Sequence, residues 1–178
     1  MLAVNAWPGT QWGMIILAET LSSWRFILRN PVHFLAFGFG AGLFPGAPGT
    51  AGTLVAFPLF WLLSPRLMPQ VFLALIAVLF VLGIWVCGKT GKDLGVHDHS
   101  GIVWDEIVAF LLVLAFTPDT LLWQVFAFLL FRVFDVLKPP PIGYFDKTVH
   151  GGFGVMLDDL IAAFYTLLCL AFWKTLID

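Results

Sequence analysis

The chain has 178 residues, of which 60% are hydrophobic and only 11% are charged. A soluble domain has about 25% charged residues, and a chain of this size cannot bury so much hydrocarbon in one core, so an ordinary soluble protein is the poorest explanation of this composition. The mean hydropathy of +0.96 predicts an integral membrane protein whose surface largely contacts lipid. The net charge of −2 gives no basic field, so we expect no nucleic-acid partner.

The apolar runs of the chain predict several helices. Residues 38–52 are rich in glycine and proline, which oppose a helix, so only residues 53–63 are expected to continue as one. Residues 67–88 are uncharged and long enough, as a helix, to cross the hydrocarbon layer. Three further runs are each short for a span and need the acids at their ends to reach sufficient length; they are residues 107–117, 121–131 and 160–173.

These runs predict an all-α protein, a compact multi-helix integral membrane bundle. We expect one membrane domain over residues 31–178, preceded by an N-terminal extension over residues 1–30. Alternating the direction of successive helices brings acids from three different helices to the same membrane surface. Most of the basic residues share that surface, which the positive-inside rule therefore assigns to the cytoplasm.

The converging acids are the strongest functional signal in the sequence. They are Asp105, Glu106, Asp135, Asp158 and Asp159. Several carboxylates at one interface repel one another, and Mg²⁺ takes carboxylate oxygens while completing its shell with water and substrate phosphate. The alternative is that the acids only decorate solvated helix ends, where the macrodipole favours them.

A glycine-rich segment, PGAPGTAGT at residues 45–53, runs directly into an apolar helix. Such a loop can direct backbone N–H groups at an anion, and Thr50 and Thr53 can donate hydroxyl groups beside the helix N-terminus. On the same membrane face as the acids, it is a candidate phosphate-binding loop. The alternative is a plain turn with a threonine cap.

Three charged residues share one helical stripe, because Arg132, Asp135 and Lys138 follow one another at i, i+3 spacing. A functional interpretation directs Asp135 toward a metal ion, with Arg132 and Lys138 toward substrate phosphate. The alternative is a ladder of ion pairs within the helix.

Four ordered motifs together resemble the phosphatidylglycerophosphatase A family. They are FGFGAGLFPGAPGTAGTL, IVWDEIVAF, FRVFDVLKPPPIGYFD and GGFGVMLDDLIAAFY, and the resemblance covers about residues 34–170. It implies a Mg²⁺-dependent lipid phosphatase of the bacterial inner membrane that converts phosphatidylglycerophosphate to phosphatidylglycerol. It also implies an all-helical fold with a central helix packed among the others.

The resemblance also implies which residues form the site. The acidic motif positions of the family fall on Asp105, Glu106, Asp135, Asp158 and Asp159, with Lys138 after the second acidic motif and Thr50 and Thr53 in the loop. The chain departs from the family pattern at Ala109 and Ala163, where we expect glycine. These changes affect close helix packing more than chemistry.

The hypothesis for the mechanism is that the acids hold one or two Mg²⁺ ions that bind the phosphate and orient a water for in-line attack. Lys138 and Arg132 would neutralise the phosphate charge. The competing function is a divalent-cation transporter or channel, which also collects carboxylates in the membrane. A transport pathway should continue to the opposite surface, where the sequence places few charges, so the phosphatase is favoured.

Overall fold

The computed structural model describes residues 23–96 and 99–177, and every regular element in these residues is a helix. The prediction of an all-α protein is therefore confirmed for this part of the chain. After a helical segment at residues 23–29 (α1), the elements are α2 (Pro31–Ala36), a 3₁₀ helix (Gly38–Leu43), α3 (Pro48–Leu63), a second 3₁₀ helix (Ser64–Arg66), α4 (Pro69–Leu94), α5 (Trp104–Phe116), α6 (Leu121–Leu137), α7 (Ile142–Thr148) and α8 (Gly151–Ile177).

Among the described residues, two helices are long and apolar enough to cross a membrane, α4 over Pro69–Leu94 and α8 over Gly151–Leu176. The predicted run 67–88 corresponds to α4, which continues beyond it as far as Leu94. Large apolar side chains on α4, among them Val78, Val81 and Trp85, are exposed. An exposed apolar face of this size is expected where a helix contacts lipid.

Helix α5 lies at the centre of the described helices. It packs against α3, α4, α6 and α8, and its side chains are buried on every face, including Ile107, Phe110 and Leu114 at 0% exposure. A helix that is apolar all round belongs in a core, and the resemblance implies such a central helix. Because Asp105 and Glu106 lie in its first turn, two carboxylates are carried into the interior.

Helix α3 begins earlier than the sequence predicts. The helix was expected from Thr53, but it starts at Pro48, so the expectation of non-helical backbone is wrong for residues 48–52. Proline suits the first helical position because its fixed φ matches the helix and its missing N–H has no partner there anyway. Gly52 packs against Val103, where a side chain would have no room, so packing outweighs the poor helix propensity of glycine.

The end of α6 and the start of α8 determine where the later charged residues of the site lie. Helix α6 ends at Leu137, and Lys138, which follows it, adopts the left-handed conformation (φ 43°, ψ 57°) before three prolines that cannot continue a helix. The run 160–173 lies inside α8, which begins at Gly151. Asp158 and Asp159 therefore lie about two turns, or roughly 10 Å, along the axis from the start of the helix, rather than at its end.

The end of the predicted N-terminal extension packs onto the helices that follow it. Ile27 is fully buried, and the ring of Phe26 stacks on that of His33 with centroids 4.3 Å apart. Residues 1–22 of the extension lie outside the described residues.

Candidate metal and phosphate site

Three carboxylates from two helices meet where α5 packs against α8: Asp105 and Glu106 from α5, and Asp159 from α8. One ligating oxygen from each lies within 4.8 Å of the others. Asp105 is 8% exposed and Asp159 only 3%, while the side chain of Glu106 is 12% exposed. The buried atoms Asp105 Oδ1, Glu106 Oε2 and Asp159 Oδ2 have no hydrogen-bond partner in the described structure. We call these three residues the carboxylate cluster.

The cluster is electrostatically unfavourable without a cation. Two ionised carboxylates within 4.8 Å of each other repel by at least about 3.5 kcal/mol at an effective dielectric constant of about 20, and their burial adds a desolvation cost. A divalent cation removes the repulsion and supplies partners for the oxygens that lack hydrogen bonds. Three carboxylates with no sulfur or imidazole ligand match a hard cation such as Mg²⁺. The residues present therefore fit the metal ion that the sequence predicts.

The other two predicted ligands adjoin the cluster but bind cationic side chains. Asp135 accepts a hydrogen bond from Arg132 Nη1 and lies close enough to Asp159 to interact with it electrostatically. Asp158 accepts a hydrogen bond from Lys138 Nζ. All five predicted acids are thus brought to one region, with three of them grouped as potential ligands.

The ladder of ion pairs considered for α6 forms only in part. Arg132 pairs with Asp135 within the helix, whereas Lys138 bonds across to Asp158 on α8. The difference arises because Lys138 has already left the helix in a left-handed conformation, which turns its side chain away from the expected stripe.

The two loop threonines have different positions. Thr53 is fully buried; its hydroxyl donates to the carbonyl oxygen of Gly49 at 2.8 Å and accepts from Arg132 Nη1 at 3.4 Å. Arg132 Nη1 also lies 3.9 Å from Glu106 Oε1. Thr50 is half-buried in the first turn of α3. Of the two threonines, the structure brings only Thr53 into hydrogen-bond contact with Arg132.

Gly49 is a site residue that the sequence reasoning did not single out. A Cβ atom at this position would overlap Glu106 Oε1 and would lie 3.1 and 3.2 Å from the two terminal nitrogens of Arg132. The first turn of α3 therefore approaches the cluster so closely that a side chain at residue 49 would displace the ends of the Glu106 and Arg132 side chains. Pro48 is the sequence feature that could have indicated this position. Proline favours the first position of a helix, so the glycine after it is expected to lie in the first helical turn.

Comparison with known proteins supports the family resemblance of the four sequence motifs. Residues 34–174 match the family model described as Phosphatidylglycerophosphatase A. The chain is 49% identical over 146 residues to Phosphatidylglycerophosphatase A of Haemophilus influenzae, covering 81% of this chain and 89% of that protein. It is 44% identical over 139 residues to Phosphatidylglycerophosphatase A of Escherichia coli, covering 78% and 80%.

A third relative carries a different substrate in its name. A Bacteroides thetaiotaomicron protein with the provisional name phosphatidylinositol-3-phosphatase is 39% identical over 142 residues, covering 75% of this chain and 87% of that protein. No solved structure matches the chain significantly.

The matches identify the chain as a lipid phosphatase. Its described residues form an all-helical fold that includes two helices of membrane-spanning length. The chain belongs to the phosphatidylglycerophosphatase A family. The resemblance seen in the four motifs is confirmed, and so is the prediction of a phosphatase. The transporter alternative is not favoured, because the family and its named relatives are phosphatases.

Proposed function

We propose that this protein hydrolyses the terminal phosphate of phosphatidylglycerophosphate, which yields phosphatidylglycerol and inorganic phosphate in phospholipid synthesis. The observation that carries the proposal is the carboxylate cluster of Asp105, Glu106 and Asp159, whose oxygens lie within 4.8 Å of one another. Arg132 lies 3.9 Å from Glu106 of this cluster, and Lys138 bonds to Asp158, the neighbour of Asp159 in the sequence. The names of the two relatives that are 44% and 49% identical support this substrate.

Asp105, Glu106 and Asp159 would hold Mg²⁺, and Asp135 and Asp158 stand beside them as further acids. When bound, the divalent cation supplies Lewis-acid polarisation of the phosphoryl group and offsets the negative charge that develops there. The same acids would lose their mutual repulsion, so metal binding would also stabilise the fold.

The cationic side chains give the site its affinity for phosphate. Arg132 presents a planar guanidinium that matches phosphate geometry, and Lys138 adds a compact positive charge. The hydroxyl of Thr50 and the backbone N–H groups of Gly49 and Thr50, in the first turn of α3, can donate to phosphoryl oxygens. With the phosphate held there, a water attacks phosphorus in line and the bond to the glycerol oxygen breaks.

The location of the site suits a lipid substrate. We place the protein in the bacterial inner membrane as a multi-pass protein with the cluster facing the cytoplasm. Lys89 and Lys92 near the end of α4 support this orientation by the positive-inside rule. The acyl chains of the substrate would stay in lipid while its headgroup enters to the level of Asp159, about two turns inside α8.

The substrate assignment is tested by phosphate release from three lipid phosphates offered separately to the purified protein in Mg²⁺. They are phosphatidylglycerophosphate, phosphatidylinositol 3-phosphate and phosphatidate. We expect kcat/KM to be highest for phosphatidylglycerophosphate. Preference for phosphatidylinositol 3-phosphate, the substrate class in the name of the third relative, would contradict the proposal.

A further inference from the structure

The segment that follows α6 needs support from the rest of the protein. Lys138 has a positive φ of 43°, a conformation that costs energy for a residue with a side chain. Gly143 lies against the backbone of Lys138, where a Cβ would come within 2.9 Å of the Lys138 carbonyl oxygen. Contacts from other elements must therefore fix the direction in which the lysine side chain points.

Helix α8 holds this segment at two points. Asp158 accepts a hydrogen bond from Lys138 Nζ, and the hydroxyl of Tyr165 donates to the carbonyl oxygen of Pro140 at 2.9 Å. Residues 158 and 165 are two turns apart, so both lie on the same face of the helix. The ring of Tyr165 also packs edge-on against Phe134 of α6, with centroids 5.6 Å apart.

We propose that Tyr165 is a positioning residue that fixes the direction of Lys138 by anchoring the backbone two residues after it. The inference rests on the proposed function, in which Lys138 binds the substrate phosphate. Asp158 alone fixes only the end of a flexible side chain, whereas Tyr165 fixes the backbone from which that side chain extends. Losing the hydroxyl frees the Pro140 carbonyl and lets the segment shift, which moves the ammonium group away from the phosphate.

The first experiment compares Tyr165→Phe with Tyr144→Phe. These are the two tyrosines of the chain, and Tyr144 is 66% exposed on α7, so its variant is a matched control for the loss of one hydroxyl. We expect Tyr165→Phe to lower kcat/KM by about three- to tenfold, the size expected of one hydrogen bond. We expect Tyr144→Phe to stay within about twofold. Unchanged kcat/KM for Tyr165→Phe would overturn the proposal.

The second experiment repeats Tyr165→Phe in a Lys138→Ala background. If the hydroxyl acts through Lys138, it has nothing left to position, and the double variant should match Lys138→Ala within about 1.5-fold. A purely structural role would lower the rate by the same factor in both backgrounds, which would overturn the proposal even if Tyr165→Phe folds poorly.

Wild type, Tyr165→Phe, Lys138→Ala and the double variant can also be compared in a binding measurement that needs no turnover. Affinity for inorganic phosphate, the product of the reaction, should weaken in Tyr165→Phe only when Lys138 is present. A wild-type protein that binds phosphate in this pattern but does not hydrolyse phosphatidylglycerophosphate would refute the proposed function and leave the positioning role supported. Equal phosphate affinity of wild type and Tyr165→Phe would overturn the positioning role.

Discussion

Gly49 in the first turn of α3 lies directly against the carboxylate of Glu106 at the start of α5. No side-chain atom fits between them, because a Cβ at residue 49 would overlap Glu106 Oε1. The contact joins the glycine-rich loop to the carboxylate cluster, two features that are more than 50 residues apart in the sequence. It brings the backbone N–H groups of a helix start next to the acids proposed to hold the metal ion.

The Gly49→Ala substitution tests whether this contact matters for function. The added methyl group should push the Glu106 carboxylate away from Asp105 and Asp159, lowering kcat/KM at least about tenfold and weakening Mg²⁺ binding. Alanine is favoured over glycine in a helix by about 1 kcal/mol. This gain opposes the cost of displacing the Glu106 side chain, so the melting temperature should change little. Activity and Mg²⁺ affinity equal to those of wild type would show that neither turnover nor Mg²⁺ binding requires the observed position of the Glu106 carboxylate.

Removing the ammonium group of Lys138 should separate substrate binding from metal binding. Lys138→Ala should lower kcat/KM by about ten- to a hundredfold, because a charge-assisted contact to phosphate contributes roughly 1.5 to 3 kcal/mol. Mg²⁺ affinity without substrate should stay near that of wild type. Lys174→Ala, in the last turn of α8, is the matched control and should retain activity. If Lys138→Ala lowers only the melting temperature, its bond to Asp158 is structural.

The buried hydroxyl of Thr53 should act through Arg132. Thr53→Val keeps the side-chain shape but removes the acceptor for Arg132 Nη1, and leaving a charged donor without this partner costs about 1 to 3 kcal/mol. We expect kcat/KM to fall by about five- to fiftyfold in Thr53→Val and to recover largely in Thr53→Ser, which keeps the oxygen. If the serine variant is as impaired as the valine variant, the methyl group of Thr53 matters rather than its hydroxyl.

The orientation in the membrane predicts a labelling pattern. Single cysteines replacing Lys92 and Lys174 would be introduced in a chain whose native Cys87 and Cys169 have been substituted. An impermeant thiol reagent added to intact cells should label the Lys174→Cys protein. It should label the Lys92→Cys protein only after permeabilisation, because basic residues remain on the cytoplasmic side. Labelling of Lys92→Cys in intact cells would reverse the proposed orientation.

The long helices α3, α4, α5, α6 and α8 were largely predictable because each is marked by an apolar run, whereas the short helices α1, α2 and α7 were not predicted. The start of α3 was not predictable from propensity, since its first turn contains Gly49 and Gly52, whose value lies in contacts with Glu106 and Val103. Such contacts depend on which helices become neighbours, and a sequence pattern does not specify that.

The acids of the site were predictable as a group from the alternating directions of successive helices, although Asp158 and Asp159 lie about two turns inside α8 rather than at its end. How these acids divide between the carboxylate cluster and pairs with cationic side chains was not predictable. Whether an acid joins the carboxylate cluster or pairs with a cation depends on side-chain direction, as when left-handed Lys138 turns to Asp158 instead of Asp135. The contact of Tyr165 with Pro140 was equally hidden, although its spacing of two turns from Asp158 was a usable signal.

The most direct test of the central claim is phosphate release from phosphatidylglycerophosphate by purified protein stripped of metal, before and after Mg²⁺ is added. Asp159→Asn, which removes one charge from the cluster while keeping its size, is measured beside wild type. We expect no release without metal, restoration of wild-type activity by Mg²⁺, and a higher Mg²⁺ requirement for Asp159→Asn. Full turnover by the metal-free wild-type protein would contradict the account.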